Sequence, residues 1–171
     1  MQGRFTFKRA SMALTLLFGV AVTTKAQNKI SQKKEIKSAA ISEMIGAHEF
    51  IFKAHSEIPL KGKSRHLAGN NEMNIEKNYL ISDLPYSGRV FAPTSSPINA
   101  GLDFKSSMFT YMDKLEKNGR WEVAIKPKDD NDIQQLLFTI FNNGFATLTA
   151  SFYLRDAITF KGNIEPDKGS K

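Results

Sequence analysis

The sequence predicts a mainly β fold: an antiparallel curved sheet, barrel-like or a two-layer sandwich, with one N-terminal amphipathic helix. Three observations lead there. Apolar residues recur at helical spacing in one stretch only, ahead of Gly46. From Phe50 onward they recur at every second position. The alternating runs are joined mostly by short turn-like segments, which antiparallel strands permit and parallel strands, needing long crossovers, do not. A sheet with one dry and one wet face, and no helices between its strands, must bury itself by curling or by folding into two layers.

The chain of 171 residues opens with Arg4, Lys8 and Arg9 and no acidic residue, then the apolar run SMALTLLFGVAV, then small residues at Thr24 and Ala26. This is the pattern of an export signal cleaved between Ala26 and Gln27. The apolar run is shorter than the roughly 20 residues that span a bilayer, so no stable transmembrane anchor is expected. Residues 1–26 thus read as a signal peptide, 27–35 as a flexible segment, 36–166 as a single β-rich domain and 167–171 as a disordered tail.

The formal net charge is +7, but the leader holds Arg4, Lys8, Arg9 and Lys25; the rest has 20 basic against 17 acidic residues, a net +3. That is an ordinary charge for solubility and makes no case for nucleic acid. The absence of cysteine excludes disulfides, thiolate metal sites and a lipid-modified thiol. An exported domain without disulfides fits a bacterial envelope, periplasmic or extracellular.

The helix is expected over about Ser31 to Ile45, with Ile36, Ala40, Ile41, Met44 and Ile45 on its apolar face and Gly46 as its stop. Phe50, Phe52 and Ala54 share one side of the first strand, and the segment from Ser56 to Glu72 reads as a loop. Met73, Ile75, Tyr79 and Ile81 then alternate, and GRVFAP is a short strand closed by Pro93. Residues 102–127 form a hairpin turning at Asn118-Gly119, where two residues accept positive φ. In its second arm Trp121, Val123 and Ile125 share the dry face. A second hairpin turns at Asn142–Gly144, with Leu148, Ala150, Phe152 and Leu154 on one face of the returning strand. The last strand aligns Ile158, Phe160, Gly162 and Ile164, for seven or eight strands in all.

Little chemistry is legible. Gly62-Lys63-Ser64 resembles the end of a phosphate loop, but Glu57 stands where the first glycine belongs. His48 and His55 lie at opposite parity on one strand and cannot share a metal without a bulge between them. His66 sits in a loop. Asp129–Asp132 lack the spacing of a calcium loop and read as a cap or polar connection. A carboxylate pair would have to come from Asp83, Asp103, Asp113 and Asp156, and nothing in their spacing marks one. No cofactor, metal site or catalytic residue is expected, and the chain does not read as an enzyme.

The stretch LPYSGRVFAP, Leu84 to Pro93, supports two readings. Pro85 ends a strand and Gly88 allows a bulge, so Tyr86 and Phe91 could fill a sheet corner. Alternatively Tyr86 and Arg89, with Arg155 and Trp121, line a mouth that binds an anionic or planar ligand.

The motifs NYLISDLPYSGRVFAP, GLDFKSS, NNGFATL and LRDAITFKGNI, in that order, resemble the bacterial envelope domain-of-unknown-function family 4251, from Ile36 to Pro166. Ser87 stands where that family often has an aromatic residue. The resemblance implies export and a β-rich single domain, and it brings no catalytic residues. The expected function is a non-catalytic binding or interaction domain of the envelope, its partner a protein, a glycan or a lipid-like ligand. A hydrolase with an unfamiliar site and a structural assembly factor are the alternatives.

Overall fold

The computed structural model describes residues 21–91 and 101–167, with side chains from Gln32 onward. The chain divides into two compact units, residues 1–35 and 36–171. Described residues of the first unit are helical from Ala21, and the helix α1 (Ala21–Ala47) ends in the second unit. None of the described helix is long and apolar enough to cross a membrane. Expectations about residues 1–20, 92–100 (with Pro93) and 168–171 lie outside the described residues.

In the second unit, α1 buries Ile41 and Ile45 in the core. It does not stop at Gly46. Ala47 is its last residue, and His48 takes the left-handed conformation, φ 60°. The His48 N–H donates to the Ile45 carbonyl at 3.2 Å and the Glu49 N–H to that of Met44 at 3.0 Å. Those two bonds define a Schellman cap with histidine in the position usually held by glycine. A partner outside the helix keeps it there: the His48 ring stacks on Tyr111, centroids 3.8 Å apart.

Ten strands follow. They are β1 (Phe50–Pro59), β2 (Arg65–His66), β3 (Glu72–Ile75), β4 (Leu80–Leu84), β5 (Leu102–Ser106), β6 (Phe109–Leu115), β7 (Trp121–Pro127), β8 (Ile133–Ile140), β9 (Phe145–Phe152) and β10 (Ile158–Glu165). The order is β5-β4-β3-β1-β10-β9-β8-β7-β6, with β2 added beside β1, and every pairing is antiparallel.

This order decides between barrel and sandwich. The two edge strands, β5 and β6, are consecutive in sequence and separated only by Ser107 and Met108. A flat nine-strand path would hold its edges about 38 Å apart, at about 4.8 Å per strand. The three residue steps from Ser106 to Phe109 reach at most about 11 Å. The sheet therefore curls into a nearly closed barrel. Eight successive antiparallel pairings also make β5 and β6 run in the same direction, so they are two halves of one bent strand. The Asp129 carboxylate fixes the bend by accepting from the Ser106 hydroxyl and from the N–H groups of Ser107 (2.8 Å) and Met108 (3.2 Å). These bonds, led by the one from Ser106, hold the Asp129 pKa below its ordinary value.

The barrel is filled by alternate residues, among them Phe50, Phe52, Met73, Val123, Ile125, Phe138, Leu148 and Phe160. The rings of Phe50 and Phe52 both meet Phe138 edge-on, at 5.9 and 5.5 Å. Several expectations change here. β1 continues to Pro59 because a bulge between Ala54 and Ser56 resets its phase and turns Glu57 inward, 1% exposed. Arg65 on β2 pairs with that carboxylate. A tight turn after Ile75 also changes parity, so Leu80, Ser82 and Leu84 face inward and Ile81 does not. Leu154 lies beyond the end of β9 and is exposed. The expected first hairpin arm, Leu102–Leu115, is bent at Ser107 and Met108, so that only Phe109–Leu115 pairs with β7 while Leu102–Ser106 pairs with β4. Both expected hairpin turns form with one geometry: Gly119 N–H donates to Glu116 and Gly144 N–H to Phe141, each glycine at positive φ. Asn118 has no positive φ and instead accepts from Arg120 N–H through its side chain.

Candidate functional site

The LPYSGR segment leaves β4 at Leu84 and lies against the β9–β10 connection. Two main-chain hydrogen bonds join the two, Phe91 N–H to the Leu154 carbonyl and Asp156 N–H to the Arg89 carbonyl, and together they form an isolated antiparallel bridge between Val90 and Arg155. The Tyr86 ring folds back over Gly88, where a β-carbon would lie 2.3 Å from the phenol oxygen, and meets Phe152 edge-on. The Tyr86 hydroxyl sits 2.8 Å from the Asp156 carbonyl and 3.0 Å from that of Arg89, sharing its one proton between them. Burial pushes the Tyr86 pKa up, opposed by nearby Arg155, so the group remains a donor.

Arg155 is 8% exposed. Its guanidinium lies over the rings of Tyr86 (4.8 Å) and Phe152 (4.1 Å), donates to the Gly101 carbonyl at 2.9 Å and is ion-paired with Asp132. Arg89 is paired with buried Asp156 at 3.1 Å and lies over Phe91. The structure thus brings Tyr86, Arg89 and Arg155 together, each engaged within the chain. Trp121 is elsewhere. It pairs with Ile140, which pairs with Ala146, six residues along β9 from Phe152, a separation of about 20 Å at the usual rise per residue.

With both cations matched by carboxylates, what surrounds the corner is acidic. A cleft of about 280 Å³ is lined by Gly101–Phe104, Asp129–Ile133 and Arg155. Asp103 connects it to a row that sequence spacing could not reveal. Glu72 pairs with Asp83 across β3 and β4, and Asp83 with Asp103 across β4 and β5. Direct partners in a ladder point to the same face. Three carboxylates therefore stand side by side on the outer surface and run into the cleft, where Asp129, Asp130 and Asp132 follow. Like charges directly opposite one another are destabilising. The far end of the row is Lys53, opposite Glu72 and ion-paired with Glu165 at 3.0 Å.

The histidines do not converge. His48 caps the helix, His55 sits at the bulge against Asn163, and His66 lies on β2. Among the described residues no group of three or more histidine, cysteine or acidic side chains could hold a metal ion. Asp130 serves as a turn residue, accepting from the N–H groups of Asp132 and Ile133, which agrees with a polar connection.

A model of the domain of unknown function DUF4251 matches residues 32–164. Comparison with curated proteins finds no significant match. Among solved structures, the crystal structure of a DUF4251 family protein from Bacteroides eggerthii DSM 20697 is similar, with a TM-score of 0.54 and 14% sequence identity, covering 77% of this chain and 88% of that chain. At that identity the likeness concerns the fold.

Proposed function

The chain belongs to the DUF4251 family, and from that premise we propose that it is an exported, non-catalytic interaction domain of the bacterial envelope whose acidic face receives a basic segment of a partner protein. The observation that carries the reading is the row of carboxylates Glu72, Asp83 and Asp103, which leads into the cleft lined by Asp129, Asp130 and Asp132. Carboxylates on three directly opposed positions make this face negative, and a basic segment complements that charge. A surface of one sign also steers an oppositely charged partner toward it. The same charges disfavour the anionic ligand suggested by Arg89 and Arg155, whose guanidinium groups already face Asp156 and Asp132. Export rests on the leader pattern of residues 1–26.

Titration of residues 27–171 with a lysine- and arginine-rich peptide tests the face. Binding should weaken as salt rises, and the double variant Asp83→Asn/Asp103→Asn should lose it while remaining folded. A double variant that binds like the parent, or a neutral oligosaccharide bound without salt dependence, overturns the reading. Mass spectrometry of the envelope-recovered protein should find an N-terminus at Gln27; a full-length, membrane-retained product overturns export.

A further inference from the structure

Independently of the acidic face, we infer that β6 is an interface for a second copy of this chain, the two β6 strands pairing antiparallel across a two-fold axis at Met112. The argument begins with which backbone groups β7 uses. Glu116 N–H donates to the Arg120 carbonyl, and Lys128 N–H to the Met108 carbonyl. Hydrogen-bonded pairs alternate along an antiparallel ladder, so the even residues Met108 to Glu116 bond toward β7. The N–H and C=O groups of Phe109, Tyr111, Asp113 and Leu115 point to the other edge. β6 is the last strand in the sheet order, and among the described residues these main-chain groups have no hydrogen-bond partner.

The side chains agree. All four residues from Met112 to Leu115 are exposed, so both faces of this part of the strand meet solvent. Met112 is 58% exposed on the outer face and Leu115 55% on the inner. The outer face is continuous with Ala124 and exposed Leu137 on the next two strands. The strand carries two charges between Phe109 and Leu115, Asp113 on the inner face and Lys114 on the outer, and any pairing at this edge must accommodate both.

The identity of the occupant follows from register. An axis perpendicular to the sheet keeps each residue on its own face, so residues of equal parity must oppose each other. Centring on Met112 places Tyr111 opposite Asp113 of the second copy, Phe109 opposite Leu115, and Thr110 opposite Lys114. No like charges meet, and Met112 and Leu115, both exposed in the single chain, each gain an apolar neighbour. Centring on Asp113 would set two aspartates face to face, which is unfavourable. The register centred on Met112 is self-complementary in both charge and apolar contact.

The test uses the absence of native cysteine. In the inferred register the two Met112 residues form a non-hydrogen-bonded pair, with Cα atoms about 4.5 Å apart, within disulfide range. Met112→Cys should cross-link to a dimer on mild oxidation, whereas Thr110→Cys, offset from its copy by four residues, should not. By sedimentation the unmodified chain should be a dimer at high concentration. Met112→Lys, which opposes two ammonium groups at the axis, should be a monomer with an unchanged circular dichroism spectrum. A parent that stays monomeric, a dimer that survives Met112→Lys, or equal cross-linking at residue 110 overturns the inference.

Discussion

The phenol of Tyr86 sits 2.8 Å from the main-chain carbonyl of Asp156, seventy residues away in sequence, and so fastens the LPYSGR corner to the β9–β10 connection. Tyr86→Phe keeps the ring against Phe152 and removes only this bond and its share in the Arg89 carbonyl. It should cost about 1–2 kcal/mol in a urea denaturation midpoint analysis. An unchanged midpoint would mean that the hydroxyl contributes nothing to the latch.

Gly162 lies opposite the bulge in β1, where a β-carbon would approach the Lys53 carbonyl oxygen to 1.9 Å. That neighbour is backbone and cannot rotate away. Gly162→Ala should destabilise the domain by about 3 kcal/mol or more or prevent soluble expression, read by thermal melting. A melting point close to the parent would show that β1 and β10 part easily there.

His48 joins the helix to the barrel through the ring of Tyr111, whose hydroxyl donates to the Ile45 carbonyl at 3.0 Å. Burial, with a smaller contribution from Asp113, pushes the Tyr111 pKa up and keeps it a donor. His48→Ala loses the stack while keeping a side chain at positive φ, and should cost about 1–2 kcal/mol. His48→Gly loses the stack but relieves the backbone, so it should cost about 1 kcal/mol less than the alanine variant. Chemical denaturation of the two variants checks the order; alanine more stable than glycine would contradict it.

Asp129 gives the stability a pH signature. Its folded pKa is held below the unfolded value, first by the Ser106 hydroxyl. Its contribution is therefore fully present above the unfolded value, near 3.9, and is lost as pH falls through the lower folded value. Asp129→Asn should lower the melting point at pH 7 by about 2–4 °C and narrow the gap to the parent below pH 4. A constant difference across that range would show that the carboxylate charge is not what holds the bend.

The fold was legible wherever one periodicity ran without interruption. Trp121 to Ile125, Ala146 to Phe152 and Ile158 to Ile164 kept their alternation, and Gly119 and Gly144 marked their turns. Expectations failed where one residue changed the phase. The bulge at His55 hid the second half of β1 and the burial of Glu57, and the turn after Ile75 reversed the faces of β4. The same limit applied to the candidate site. Tyr86, Arg89 and Arg155 were identifiable as unusual residues, but their partners Asp132 and Asp156 come from other segments. The acidic row depends on the register of three strands, which no spacing along the chain encodes.

The account rests on the polar groups of the corner being used inside the fold, and Arg155 carries the most of them. Equilibrium urea denaturation of Arg155→Lys is the most direct measurement. Lysine keeps the charge but cannot stack on Tyr86 and Phe152 while serving both Gly101 and Asp132. A loss of about 2 kcal/mol or more is the predicted result. Unchanged stability would contradict it and return Arg155 to a ligand.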